Sequence, residues 1–247
     1  MHINHLLEKQ KKLLQKNSDF YTARGTHVYF KDNMMNDVDV EKVIARVEAN
    51  LPPHLFAEVE MIVVGWFDEF EDRGINAFYD SGAVYVSNVQ DDERDMYDDI
   101  VHEISHSVED AYGYSIYGDQ KIKKEFLRKR EHLHNLLWKM GFKAPKSFFQ
   151  NVEFTREFDD FLHKQVGYDK LTTIMQGLFI SPYAATSLRE YFATMFTEYY
   201  LDPNHSFLKK VSPELYEKIG LQDVLHFDNK VLKFIILQKF FKHLGCL

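Results

Sequence analysis

The chain has 247 residues, of which 45% are hydrophobic and 15% aromatic, so it is long and apolar enough to form a folded core and is not a disordered protein. Its formal net charge of −8 at pH 7 argues against nucleic acid as a partner, because phosphate binding needs a basic surface. The one cysteine, Cys246, cannot form an internal disulfide, so any metal site must use histidine and carboxylate ligands.

The first residues of the given sequence do not predict a signal peptide. Residues 1–9 lack the apolar core of a signal peptide, and no apolar stretch reaches the ~18 residues that a membrane span needs. As written, the sequence predicts a cytoplasmic protein without a membrane span. Secretion, or delivery as a toxin or effector, stays open, and no pattern indicates the oligomeric state.

The first third of the chain predicts short helices and strands. Apolar residues at helical spacing predict helices, and β-branched and aromatic runs between turn residues predict strands. The predicted helices cover 1–17 and 37–50, and the predicted strands cover 26–30, 61–67, 77–79 and 83–86. The last two strands flank Asp80-Ser81-Gly82 and predict a β-hairpin.

Nearly everything after residue 92 predicts helix. Helical spacing recurs near 119–139, 147–177, 186–201, 213–219 and 228–243. Because no repeat or linker divides the chain, we predict an α+β fold in one domain over 1–247. Its parts are helices and a small mixed or antiparallel sheet in 1–90, a central helix in 91–114 and a helical half in 115–247.

The central helix contains an HExxH motif, His102-Glu103-Ile104-Ser105-His106. Positions four apart share one helix face, so the two imidazoles can bind one Zn²⁺ while Glu103 reaches a metal-bound water. Acidic residues in 91–95 predict the helix start, and Gly113 is the predicted stop. Zincins have the same order of elements: a sheet comes first, then the HExxH helix and then a helical half. In that fold an edge strand of the sheet lies above the cleft, and the helical half lies below it.

Two histidines leave a tetrahedral zinc site short of one protein ligand. The compact HExxHxxGxxH pattern is absent, since Glu109 and Tyr112 occupy its glycine and third histidine positions. Glu190 is the candidate ligand, because a carboxylate in the apolar segment 186–196 needs a partner.

Other assignments of these residues stay open. In one of them Glu190 pairs with Arg189 or Lys209 at the protein surface. In another the third ligand is one of two histidines in Arg130-Glu131-His132-Leu133-His134, a run that is typical of a charged, solvated helix face.

The run 102–114 resembles the active helix of the catalytic domain of anthrax lethal factor and of its small relatives, which include the secreted clostridial Pro-Pro endopeptidases. In that family a glutamate in an E-[FY]-F-A motif is the third zinc ligand, and Glu190-Tyr191-Phe192-Ala193 matches it. A tyrosine seven residues before that glutamate stabilises the oxyanion, and Tyr183 has this offset. The chain departs from the pattern at Ser105, where glycine is usual, and at Thr194, where lethal factor has a second glutamate.

The resemblance implies a zincin-like fold and a zinc metalloendopeptidase with two histidine ligands and one distant glutamate. One Zn²⁺ per chain is expected on His102, His106 and Glu190. Glu103 is the expected general base for the metal-activated water, and Tyr183 the expected oxyanion donor.

The implied substrate is a peptide or protein bound in extended form along one strand of the 77–86 hairpin. Cleavage preference is not indicated, and a Pro-Pro preference would rest on the resemblance alone. Asp99 and Asp110 lie within helical reach of the motif histidines and are candidates to orient them. The alternative function is a catalytically inactive, zincin-fold protein-binding module, against which the presence of a general base argues.

Overall fold

The computed structural model describes residues 18–221. The predicted helices at 1–17 and 228–243, and Cys246, lie outside the described residues. Within the described range the fold is mixed α/β, with one small sheet and a predominantly helical second part. No helix between residues 18 and 221 is long and apolar enough to cross a membrane.

Five strands form the sheet in the order β1-β2-β3-β5-β4. They are β1 Phe20–Tyr21, β2 His27–Phe30, β3 Met61–Gly65, β4 Ala77–Asp80 and β5 Ala83–Ser87. Strands β2, β3 and β5 run parallel, and β1 and β4 pair antiparallel with their neighbours. The predicted hairpin is therefore confirmed as β4–β5, and β4 is the outer strand at its end of the sheet.

The helices begin after β2 and dominate the chain after residue 92. They are α1 Val40–Asn50, α2 Asp68–Arg73, α3 Glu93–Tyr117, α4 Lys121–Lys139, α5 Lys146–Gln150, α6 Arg156–Asp160, α7 Tyr168–Ile174, α8 Leu188–Leu201 and α9 Ser206–Val211. Residues 213–221 are also helical. A π-helical turn, Phe161–Val166, follows α6, and a 3₁₀ turn, Tyr183–Ala185, precedes α8.

Two predicted helix boundaries are wrong. Gly113 does not stop the central helix, which continues to Tyr117 because Ile116 is buried and the Tyr117 hydroxyl donates to Glu109, eight residues before it in the chain. The predicted helix at 147–177 is broken into α5, α6, the π-helical turn and α7. Thr155 caps a new helix start, and Gly167, at φ 92°, turns the chain in a conformation that suits glycine.

Strands β4 and β5 pack on α3, and α3 also packs on α1 and on α8. The paired strands bury alternate residues against these helices. The buried sheet residues on this face are Val28, Ile62, Val64, Val84 and Val86. They join one connected hydrophobic cluster with the helical part. Helix α3 is thereby fixed between the outer strand β4 and helix α8.

Candidate metal centre

Helix α3 presents the HExxH motif from a firmly anchored start. Asp92 caps the helix by accepting hydrogen bonds from the backbone amides of Arg94 and Asp95, at 2.7 and 3.0 Å. The face bearing Ile100, Ile104 and Val108 is buried in the core. The two motif histidines lie on a different face of the helix from these three buried residues, and both line a cleft.

The two imidazoles converge on the carboxylate of Glu190. His102 Nε2 lies 3.0 Å from Glu190 Oε2, and His106 Nε2 lies 3.9 Å from Glu190 Oε1. One ligand atom from each of the three side chains lies within 4.8 Å of the others. Metal–ligand bonds of about 2.0–2.2 Å put tetrahedral ligand atoms roughly 3.3–3.6 Å apart, so small side-chain shifts bring this cluster onto a metal ion.

Glu190 reaches the cluster because α8 begins close to α3. The Ser187 side chain caps α8 by accepting from the Glu190 amide at 3.1 Å. Ala193 and Thr197 are buried on α8 and Ser105 is buried on α3, and these small residues allow the two helices to approach closely. Glu190 therefore does not pair with Arg189 or Lys209, the surface alternative that the sequence left open.

His102 and Glu190 shift each other's pKa values. Burial acts to lower the pKa of His102, but the hydrogen bond with Glu190 and the nearby carboxylates raise that pKa above its ordinary value. Burial acts to raise the pKa of Glu190, but the hydrogen bond with His102 and the two imidazole charges lower it below its ordinary value. A metal cation would take the place of the proton between these groups, so metal affinity falls as the pH falls.

The residue that orients His106 is Glu109, which the sequence analysis missed. Its carboxylate accepts from His106 Nδ1 at 2.9 Å and from the Tyr117 hydroxyl, and Arg189 Nε lies at 3.4 Å. This contact leaves Nε2 of His106 facing Glu190. The spacing of three residues on one helix was the available indication.

Neither predicted orienting residue contacts a motif histidine. Asp110 has 64% of its side chain exposed and pairs with Arg189 at 3.8 Å. Asp99 accepts from Gln90 Nε2 at 3.1 Å. Each lies three or four residues from a motif histidine on the same helix, but Asp110 pairs with Arg189 and Asp99 accepts from Gln90 instead.

We expect Glu109→Gln to weaken metal binding by about 10–100-fold, because the amide is a poorer acceptor for His106 Nδ1–H than the carboxylate. Competition with a chromophoric chelator measures the change in metal Kd. Asp110→Asn is the matched control and should leave the Kd unchanged, since Asp110 touches no imidazole. Equal Kd values for Glu109→Gln and the wild type would contradict the orienting role.

Burial, joined by the charges of Asp95, Asp98 and Glu103, raises the pKa of Asp99 from 3.8 to about 7, against the hydrogen bond from Gln90. The folded chain then holds this proton more tightly than the unfolded chain. Stability from this group is present below about pH 4 and is lost as the pH rises to about 7.

We therefore expect Asp99→Asn to stabilise the protein by about 1–3 kcal/mol at about pH 8, with a smaller gain at about pH 5. The asparagine carbonyl can still accept the hydrogen bond from Gln90. Urea unfolding of both proteins in the presence of a chelator measures the difference at each pH. A difference that does not change with pH would contradict the assigned pKa.

Glu103 and Tyr183, the predicted base and oxyanion donor, border the same cleft as the metal cluster. Within residues 18–221 neither side chain has a hydrogen-bond or ion-pair partner, so both are available to a ligand. The Tyr183 ring lies 6.2 Å from the His102 ring, centroid to centroid. Burial, followed by the charges of Glu190 and Glu103, raises the pKa of Tyr183, so its hydroxyl stays protonated and can donate.

The cleft has a volume of about 760 Å³ and runs between two walls above α3. One wall is formed by α2 and the outer strand β4, and the other by residues 153–168. The residues of 153–168 carry no motif, and the π-helical turn packs against α6 and α7 on either side of it in the chain.

Arg130 holds the turn that carries Tyr183. It is fully buried, and its guanidinium donates to the carbonyls of Ala185 and Thr186 at 2.9 and 3.2 Å and to the carbonyl of Phe148. The prediction that 130–134 is a solvated helix face is therefore wrong at Arg130.

The two histidines of that run lie away from the metal cluster. His132 is exposed, and the ring of His134 packs 4.9 Å from the ring of Phe149. Neither belongs to the cluster of potential metal ligands within the described residues.

No family model, no curated protein and no solved structure matches this chain.

Proposed function

We propose that this protein is a zinc-dependent endopeptidase that hydrolyses peptide bonds in the cleft above α3. One observation carries the proposal: His102, His106 and Glu190 converge at the floor of a cleft that Glu103 and Tyr183 also border. A metal cluster alone is common to structural and catalytic sites. A partner-free carboxylate and a protonated hydroxyl beside it are what hydrolysis requires.

The donor set fits zinc. Two imidazole nitrogens and one carboxylate oxygen are typical of catalytic zinc, whereas Mg²⁺ and Ca²⁺ prefer oxygen ligands alone. His102, His106 and Glu190 would hold the ion, and three protein ligands would leave a tetrahedral zinc one position for water or substrate. When bound, zinc supplies Lewis acidity that polarises a carbonyl group and acidifies water.

Two side chains of this protein act on the reacting groups, Glu103 by proton transfer and Tyr183 by hydrogen bonding. Glu103 accepts the proton of the attacking water and passes it to the nitrogen of the leaving amine. Tyr183 donates a hydrogen bond to the oxygen on which negative charge develops. Glu109 keeps the His106 ring turned so that Nε2 points into the cluster.

We propose that the fold is zincin-like and the enzyme similar to the lethal-factor family. The outer strand β4 lies beside the cleft, and an extended peptide can pair with its free edge by backbone hydrogen bonds. Such pairing recognises backbone rather than sequence, so it supports a peptide or protein substrate without naming the cleaved bond.

Cleavage of casein and of a mixed peptide library by the purified chain tests the proposal. We expect cleavage that is lost in 1,10-phenanthroline and restored by one equivalent of Zn²⁺. A chain that binds zinc but leaves every peptide intact would instead support the alternative, an inactive protein-binding module with a metal site. The free Glu103 carboxylate favours the enzyme.

A further inference from the structure

Asp159 lies on the wall of the cleft that faces the outer strand. It belongs to the short helix α6, which Thr155 caps, and it is half-buried. The hydroxyl of Tyr168 donates to Asp159 Oδ1 at 2.7 Å. Tyr168 returns to this position because Gly167 turns the chain after the π-helical segment. The Asp159 carboxylate is therefore held in one orientation, and within residues 18–221 its Oδ2 has no hydrogen-bond or ion-pair partner.

Asp159 is close enough to the reaction centre to act on it electrostatically. After burial and the charges of Glu190 and Glu103, the charge of Asp159 further raises the pKa of Tyr183. Both residues line the same cleft as the metal cluster. A substrate that occupies this cleft can therefore contact Asp159 while its reacting bond lies near the metal cluster.

The Asp159 carboxylate has no cationic partner. Within the part of the chain that the structure describes, no Lys, Arg or His nitrogen lies within 4.0 Å of it. Its neighbour Asp160, by contrast, pairs with Lys164 at 2.6 Å. A half-buried charge that lacks a counter-ion attracts one from a ligand more strongly than an exposed charge does.

The cations that line the cleft are directed elsewhere. Lys164 binds Asp160, and the charge of Arg156 also acts on Asp160. Arg189 lies against Glu109 and Asp110. Arg73 acts on Tyr183, whose pKa its charge lowers, but its side chain is exposed and partly screened by solvent. The His163 ring lies 4.9 Å from the ring of Tyr168, and within residues 18–221 neither Arg73 nor His163 forms an ion pair with Asp159.

The cleft also contains acidic residues that are less suited to selecting a side chain. Glu71, Asp72 and Glu153 are exposed, so water screens their charges. Among the carboxylates of this cleft, Asp159 combines partial burial, a fixed orientation and the lack of a cationic partner.

We infer that Asp159, oriented by Tyr168, selects peptides that carry lysine or arginine at one of the two residues joined by the cleaved bond. This inference rests on the proposed function. The basic side chain donates to Asp159 Oδ2, while Tyr168 keeps the carboxylate from rotating away. Asp159 acts on substrate choice, and the proton transfers remain with Glu103 and Tyr183.

The test uses the zinc-loaded full chain and peptides that differ only at the two residues flanking the cleaved bond. We expect wild type to prefer lysine and arginine over their neutral counterparts. Asp159→Asn should lower kcat/KM for the basic peptides by about 10–100-fold and change the neutral ones little. Asp160→Asn is the matched control and should keep the wild-type preference, because Asp160 already pairs with Lys164.

Tyr168→Phe keeps the carboxylate but frees its orientation, so it should lose part of the preference. Cleavage by wild type without any preference for a basic residue would overturn the inference and leave the proposed function standing. An equal preference in Asp159→Asn and wild type would also overturn it. If wild type cleaves no peptide and matches Glu103→Gln, the proposed function fails and the inference fails with it.

Discussion

Glu103→Gln is expected to lower kcat for peptide hydrolysis by about 10²–10⁴-fold, one of the two largest effects that the site predicts. The substitution keeps the size of a side chain that is 9% exposed, but an amide cannot accept the proton of the attacking water. Initial rates on a fluorogenic peptide at saturating concentration measure the loss.

Zinc content separates this effect from a damaged metal site. Glu103 is not among the three clustered donors, so Glu103→Gln should still bind one equivalent of zinc. Glu153→Gln, the same change at an exposed position on the cleft wall, should keep wild-type kcat. If Glu103→Gln turned over peptides at the wild-type rate, the general-base role would be wrong.

Glu190→Ala is expected to weaken zinc binding by at least about 100-fold and to remove activity with it. The change leaves two imidazoles and no protein oxygen in the cluster, which is too few donors for a catalytic zinc site. Isothermal titration with Zn²⁺ on chelator-treated protein measures the change in Kd.

A second glutamate on the same helix provides the control. Glu198 lies on α8 outside the cleft, so Glu198→Ala should bind zinc as wild type does. Unchanged zinc affinity in Glu190→Ala would mean that another residue supplies the third ligand. The helical content of both variants, followed by circular dichroism, separates loss of a ligand from loss of the fold.

Elements whose cause is local could be predicted from the sequence. The β4–β5 hairpin follows from two β-rich runs around Asp80-Ser81-Gly82, and it forms as expected. The central helix was predicted, but its predicted end at Gly113 is wrong, because the helix continues to Tyr117. The hydrogen bond from Tyr117 to Glu109 outweighs the helix-weakening effect of Gly113. The prediction of one long helix at 147–177 is wrong, because the spacing of apolar residues does not show where Thr155 starts a new helix or where Gly167 turns the chain.

The sequence by itself determined the HExxH donors, because residues four apart on a helix share a face whatever surrounds the helix. It also singled out Glu190 as a carboxylate in an apolar segment, and Tyr183 through the resemblance to a known family. Only the tertiary structure decided that Glu190 meets both imidazoles and not a surface cation.

The tertiary structure alone also assigned Glu109 to His106, placed Arg130 behind the Tyr183 turn and brought Asp159 to the cleft. Except for Glu109 and His106, which lie three residues apart on α3, these contacts join segments that are far apart in sequence. Their geometry depends on how α3, α4, α6 and α8 pack, and packing of distant segments leaves no periodic signal in a single sequence. The two histidine donors are thus encoded locally, whereas the third ligand and the surroundings that would make the cluster an enzyme arise from the fold.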